Sequence, residues 1–143
     1  RDIALEQAIS ERYGKGLSLG QGAITFITYG TKSTQALGAG ERAGVLHSFQ
    51  EVFSRFPESA VDWNDVVRIS TNELPSQRSA QAEQKAKDTG ANTEQSVMMI
   101  AYGLRPIIRS LELEQEGIIR FIEAYGRLPS STLDWNILRS LVY

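Results

Sequence analysis

Phe53-Ser54-Arg55-Phe56-Pro57-Glu58-Ser59-Ala60-Val61-Asp62-Trp63-Asn64 returns 72 residues later as Tyr125-Gly126-Arg127-Leu128-Pro129-Ser130-Ser131-Thr132-Leu133-Asp134-Trp135-Asn136. The shared frame is aromatic, Arg, apolar, Pro, Ser, Asp, Trp, Asn. An internal repeat of this kind decides the architecture before any local reading does. Pro57 and Pro129 lack a backbone N–H and end the preceding helix. Ser59 and Ser131 are each followed three residues later by Asp62 or Asp134, the spacing of a capping box, so a new helix starts there. Trp63, Val66 and Val67, and Trp135, Leu138 and Val142, follow at helical spacing.

The match extends upstream. Ala23 to Gly30 parallels Ser96 to Gly103 at an offset of 73, and Glu41 to Val45 parallels Glu114 to Ile118, with Gly44 on Gly117. One residue is therefore expected to be lost between the Gly44 position and Pro57. Each unit reads as three short helices. The first ends in Tyr29-Gly30 or Tyr102-Gly103, where glycine can close the last turn in the left-handed conformation. The second carries an apolar stripe: Val45, Leu46, Phe49, Val52, Phe53 and Phe56 in one unit. In the other it is Ile118, Ile119, Ile122, Tyr125 and Leu128, with Phe121 beside it. The third starts at the Ser cap.

Two segments lie outside the repeat. Residues 2 to 13 predict an amphipathic helix offering Ile3, Leu5, Ala8 and Ile9 for burial. Lys15 to Gly22 holds three glycines and reads as a loop. Gln77 to Asp88 has almost no apolar face and reads as an exposed connecting helix or a mobile linker. The expected fold is all-α and a single domain over residues 1–143. It comprises an N-terminal helix over 1–16, repeat units over 19–71 and 92–143, and a linker over 72–91. Two three-helix units are few for a solenoid, which favours a closed pseudo-two-fold globule.

Composition narrows the function. The 143 residues suffice for a sizeable core. A net charge of −2 argues against a generally basic nucleic-acid surface. Cysteine is absent, which excludes disulfide frameworks, thiolate metal sites and cysteine nucleophiles. No apolar run reaches the roughly 20 residues of a membrane helix. The chain begins at Arg1 rather than Met, as a processed or excised protein does.

No catalytic constellation stands out. Glu41 paired with Asp62 or Glu116 would be the glycosidase-like choice, which needs two carboxylates facing one cleft. Acidic residues opening a helix are, however, favoured by its dipole alone. His47 is the only histidine, and Glu51 at i+4 is a thin ligand set for a metal. Gly14 to Gly20 lacks the order of a phosphate loop. The tryptophans carry two readings, core anchors behind the helix caps or platforms for sugar rings. Arg55 and Arg127, retained in both copies, either brace Asp62 and Asp134 or form an anion-binding face for acidic glycans. No cofactor or metal is called for.

Tyr29-Gly30-Thr31 with Thr34 to Val45, and Tyr102 to Pro106 through Arg109-Ser110-Leu111 with Pro129-Ser130-Ser131 and Trp135, resemble a known module. It recurs in predicted surface proteins of small-genome bacteria of the candidate phyla radiation. The resemblance covers about residues 23 to 143. Glu73-Leu74-Pro75 departs from the Gly-Arg-Trp-Pro-like run of that family, and the linker is less basic. The resemblance implies an exported, extracellular, cell-surface or S-layer-like segment. Together with the duplicated scaffold, it leads to the expectation of a non-catalytic structural or adhesion module. Its expected partners are further copies of itself or other cell-envelope proteins. A glycan- or peptidoglycan-binding module is the alternative, and a small hydrolase using Glu41 or Glu116 comes third.

Overall fold

The computed structural model describes residues 1–14 and 19–143. Among these the chain forms eight α-helices and no strand. They are α1 (Ile3–Tyr13), α2 (Gln21–Tyr29), α3 (Ala39–Phe53), α4 (Ala60–Ser70), α5 (Ala80–Asp88), α6 (Glu94–Tyr102), α7 (Leu111–Tyr125) and α8 (Thr132–Val142). The all-α expectation is met. Among the described residues no helix is long and apolar enough to cross a membrane. The glycine-rich loop reading at Lys15 to Ser18 and the end of the 1–16 helix lie outside the described residues. Gln21 and Gly22, read as loop, belong to α2.

The core is one cluster. Phe26 and Ile27 of α2, Val45, Leu46 and Phe49 of α3, and Val66 and Ile69 of α4 join Val97 to Tyr102 of α6, Phe121 of α7 and Ile137 and Leu138 of α8. Burying such side chains is worth about 1.5–3 kcal/mol each, which holds the short helices in place. Helix α3 lies at the centre. It packs on α2 and α4 of its own unit and on α6 and α8 of the other.

The helix ends follow the frame. Ser59 accepts the Asp62 N–H at 3.1 Å and caps α4, with Asp62 reaching back in a full capping box. Ser131 accepts the Asp134 N–H at 3.0 Å and caps α8. Pro57 is buried and Pro129 half-buried at the two corners. Gly30 and Gly103 end α2 and α6 at φ 68° and 73°, but only Gly103 is in the left-handed helical region, because ψ at Gly30 is −164°.

The register of the repeat differs from the expectation. Helices α3 and α7 begin at residues 39 and 111 and end at 53 and 125, so the offset is already 72 through both. The residue is lost in the loop before α7, not inside the helix. Phe49 therefore corresponds to Phe121, and both are fully buried. Gly44 and Gly117 are not equivalent. The apolar face of α7 is turned from the predicted one: Phe121 is its anchor and Ile118 packs half-buried on the core as expected, while Ile119, Ile122 and Tyr125, and Leu128 just beyond the helix, are exposed. Helix α7 packs extensively only on α8. The closed pseudo-two-fold arrangement is not formed. The α3 contact with α6 and α8 has no return contact of similar extent from α7 to α2 and α4.

The linker is also structured. Helix α5 is capped by Ser79, which accepts the Ala82 N–H at 3.1 Å. It docks on α6 as α1 docks on α2, burying Ala86. A short hidden signature marks both. Arg1-Asp2 with Glu6-Gln7, Arg78-Ser79 with Glu83-Gln84, and Arg109-Ser110 with Glu114-Gln115 share one pattern, Arg, cap residue, three residues, Glu, Gln. In each, the arginine precedes the cap of a helix (α1, α5 or α7) and pairs with the glutamate five residues on. A tyrosine hydroxyl accepts the backbone N–H of each cap residue, Tyr29 for Asp2 at 2.6 Å, Tyr102 for Ser79 at 2.8 Å and Tyr143 for Ser110 at 3.0 Å. Tyr29 and Tyr102 also donate to Glu6 and Glu83. The burial expected of Ile3, Leu5 and Ala8 is not seen. All three are exposed, and α1 turns Glu6 and Ile9 inward because Glu6 must meet Arg1 and Tyr29.

Candidate functional site

Arg55 and Arg127 are braces. The Arg55 Nη2 lies 2.8 Å from Asp62 Oδ1, and the Arg127 Nη1 lies 2.6 Å from Asp134 Oδ2. Each guanidinium also sits over the aromatic rings of the preceding helix. Arg55 is 5.8 Å from the Phe49 centroid and 5.7 Å from Phe53, and Arg127 is 5.4 Å from Phe121 and 6.0 Å from Tyr125. The arginine thus ties the end of one helix to the cap of the next across the proline corner. Arg55 holds the Asp62 carboxyl well below the usual carboxylate range, with help from Gln77 and the Glu58 N–H. Arg127 does the same for Asp134, with the Ser130 N–H.

The first brace extends into the connection between the units. Gln77 Nε2 donates to Asp62 at 2.9 Å and to Asp65 at 3.0 Å. The fully buried Asp65 also accepts from the Ser76 N–H and hydroxyl and from the Gln77 N–H. Ile137 holds the position equivalent to Asp65 in the second unit, where no such connection follows.

The tryptophans diverge. Trp63 is half-buried and tilts against Phe26 with ring centroids 5.7 Å apart, over Gly22. Trp135 is 40% exposed, so its expected role as a core anchor is corrected. Met99 stands where Phe26 stands in the first unit, so no aromatic ring is there to meet it. Trp135 instead forms one wall of a cleft of about 370 Å³. Thr132, Trp135 and Arg139 share a face of α8 at i, i+3 and i+7. Gly40, Glu41 and Gly44 line the opposite side on α3, Ser130 and Ser131 form one end, and Arg105 lies at the floor.

Charge in the cleft is unevenly matched. Arg105 is buried and its Nε lies 3.0 Å from Glu41 Oε2, without the alignment of a hydrogen bond. Arg109 joins Glu41 at 3.2 Å and also pairs with Glu114. Arg139 is only 5% exposed, yet it has no carboxylate partner among the described residues. It donates to the side-chain oxygen of Asn136, and its buried Nε has no acceptor. Burial, with Arg105 nearby, pushes the Arg139 guanidinium down to about 9. Nothing in the sequence signals that Arg105 and Arg139 converge. The i, i+4 spacing of Trp135 and Arg139 was the available hint.

The other candidates are dispersed. Glu41 is engaged by Arg105 and Arg109, whereas Glu116 pairs with Arg120 on the outer face of α7 at 2.6 Å. Asp62 belongs to the first brace. His47 is half-buried on α3. Among the described residues no three histidine or carboxylate side chains converge as a metal site needs. Comparison of the chain with protein-family models, with curated proteins and with solved structures returned no match.

Proposed function

We propose that the chain is a non-catalytic structural module of a cell-surface protein that associates with further copies of itself. The observation that carries this reading is the one-directional packing of its units. Helix α3 is covered by α6 and α8, whereas its equivalent α7 packs extensively on α8 alone. Head-to-tail contacts of this kind, repeated between copies, build rings or open filaments rather than isolated two-fold dimers. The outer side of α7 leaves Leu111 75% and Ile119 58% exposed, with Ile107, Ile108 and Ile122 beside them. Large apolar side chains left in water on one helix and the loop before it mark an interaction site. The extracellular placement rests on the resemblance to surface modules of candidate phyla radiation bacteria.

Analytical ultracentrifugation tests the association. Sedimentation should become faster as concentration rises, and Ile119→Glu with Ile122→Glu should hold the chain monomeric with its helical content unchanged. A wild-type chain that stays monomeric at millimolar concentration removes the reading.

A second reading, a glycan-binding module, is favoured by the exposed Trp135 at the cleft. An indole face stacks on the apolar side of a sugar ring while hydroxyls such as Ser130, Ser131 and Thr132 take its polar edge. Movement of the Trp135 indole N–H resonance, with that of Trp63 still, is the expected response to oligosaccharide. No movement with any sugar, acidic or neutral, removes it.

A further inference from the structure

We infer that the cleft between α3 and α8 is an anion-accepting subsite for a sugar bearing a carboxylate, with Arg139 as the group that receives the charge. The inference rests on the glycan-binding reading and names its ligand class. Four features converge. Trp135 offers an open indole face. Arg139, beneath it on the same helix face, is buried and keeps its Nε without an acceptor. The local balance is positive, because Arg105, Arg109 and Arg139 face only Glu41 and Glu114. The remaining wall is made of small groups. Gly40 and Gly44 stand one turn apart on α3, and Gly44 leaves room for the Arg105 guanidinium, since a Cβ there would come within 2.6 Å of Arg105 Nη2.

The chemistry selects within anions. Glu41 already occupies Arg105 and Arg109, so a second carboxylate is directed to Arg139. A guanidinium with an unused N–H favours a planar carboxylate that can meet it side on. The start of α8 adds its dipole, with Ser130, Ser131 and Thr132 at the mouth. The volume of about 370 Å³ lies at the small end of ligand sites, which suits one or two sugar rings. A bare inorganic anion would leave Trp135 without a role, whereas a pyranose ring placed on the indole carries its carboxylate inward.

Two-dimensional amide and indole NMR titration of the intact chain tests this, with a galacturonic acid trimer, a neutral galactose trimer and inorganic phosphate as probes. The acidic trimer should shift the Trp135 indole N–H and bind at least about tenfold more tightly than the neutral one, the worth of a charged hydrogen bond. Trp135→Ala should abolish the binding. Arg139→Gln should bring the acidic trimer down to the neutral level. Should Arg139→Gln fail to fold, Thr132→Arg, a change at the cleft mouth that adds a charge while leaving the floor intact, should strengthen acidic binding alone. Equal binding of acidic and neutral trimers overturns the anion subsite and leaves the glycan reading in place. Binding of phosphate at this cleft with neither trimer bound overturns the sugar class. No response to either trimer removes both.

Discussion

Phe49 and Phe121 stand 72 residues apart in sequence and in the same place in their units. Each is fully buried on the second long helix, and each lies under the guanidinium of an arginine six residues further on. That correspondence sets the register of the duplication. It also shows what the repeated frame is for: Arg55 or Arg127 fastens the aromatic end of one helix to the aspartate in the first turn of the next.

Asp62→Ala and Asp134→Ala should each destabilise the protein. Loss of the bonds from each aspartate to the backbone N–H groups ahead of its helix costs about 1 kcal/mol. Stranding the charge-assisted bonds raises the total to about 2–3 kcal/mol. Asp62→Ala should cost more, because Gln77 and the connection to α5 hang on the same carboxylate. Urea denaturation of the two variants measures the difference.

Acid should loosen the molecule in a defined window. Arg1 first, then Tyr29 and Gln21, hold the Glu6 carboxyl down to about 2, and Asp62 and Asp134 are held lower than usual as well. Between the folded and unfolded values the unfolded chain binds more protons, so stability rises with pH there. The contribution should be complete above about pH 5 and lost as pH falls through 4 toward 2. Thermal melts of Glu6→Gln across that range should show a flatter pH dependence than wild type.

Gly117→Ala should be destabilising despite its small size. A Cβ there would lie 2.4 Å from Leu138 Cδ2 and 3.0 Å from its Cγ, in a buried contact between α7 and α8. Overpacking of this kind costs about 1–3 kcal/mol. Paired Gly117→Ala and Leu138→Ala changes, compared with each alone by denaturation, should partly offset each other.

Ser54→Gly should be stabilising. Ser54 ends α3 at φ 59°, ψ 29°, and its counterpart Gly126 ends α7 at φ 70°, ψ 18°. Both are left-handed, a conformation that favours glycine. The gain should be about 0.5–1 kcal/mol, seen as a higher melting temperature.

Tyr102→Phe should free α5 without unfolding the rest. The buried hydroxyl accepts the Ser79 N–H at the α5 cap and donates to Glu83. Hydrogen exchange should quicken across Ala80–Asp88 while α3 and α4 stay protected. Uniform loss of protection across all helices would refute a local role.

What was legible in the sequence was local. Pro57 and Pro129 stop helices, Ser59 and Ser131 cap the next ones, and Arg55 and Arg127 reach their aspartates seven residues on, all within about two helical turns of chain. The Arg, cap, Glu, Gln signature at Arg1, Arg78 and Arg109 was equally local. It was not read because α5 offers little more than Ala82 and Ala86 for burial, and its docking leans on the pairing of Ser79 and Glu83 with a tyrosine 19 to 23 residues away.

By itself, the sequence determined the repeated helices and the stops and caps at the two proline corners, since these depend on backbone chemistry and neighbours a few residues away. Only the tertiary structure decided the rest. Where the deleted residue fell chose Phe121 over Ile122 as the anchor of α7. The way α8 meets α3 and α6 left Trp135 open where Trp63 is covered. It also brought Arg105 and Arg139 together from 34 residues apart. Burial and the meeting of distant charges follow from which helix covers which, and two nearly identical motifs therefore sit in different surroundings.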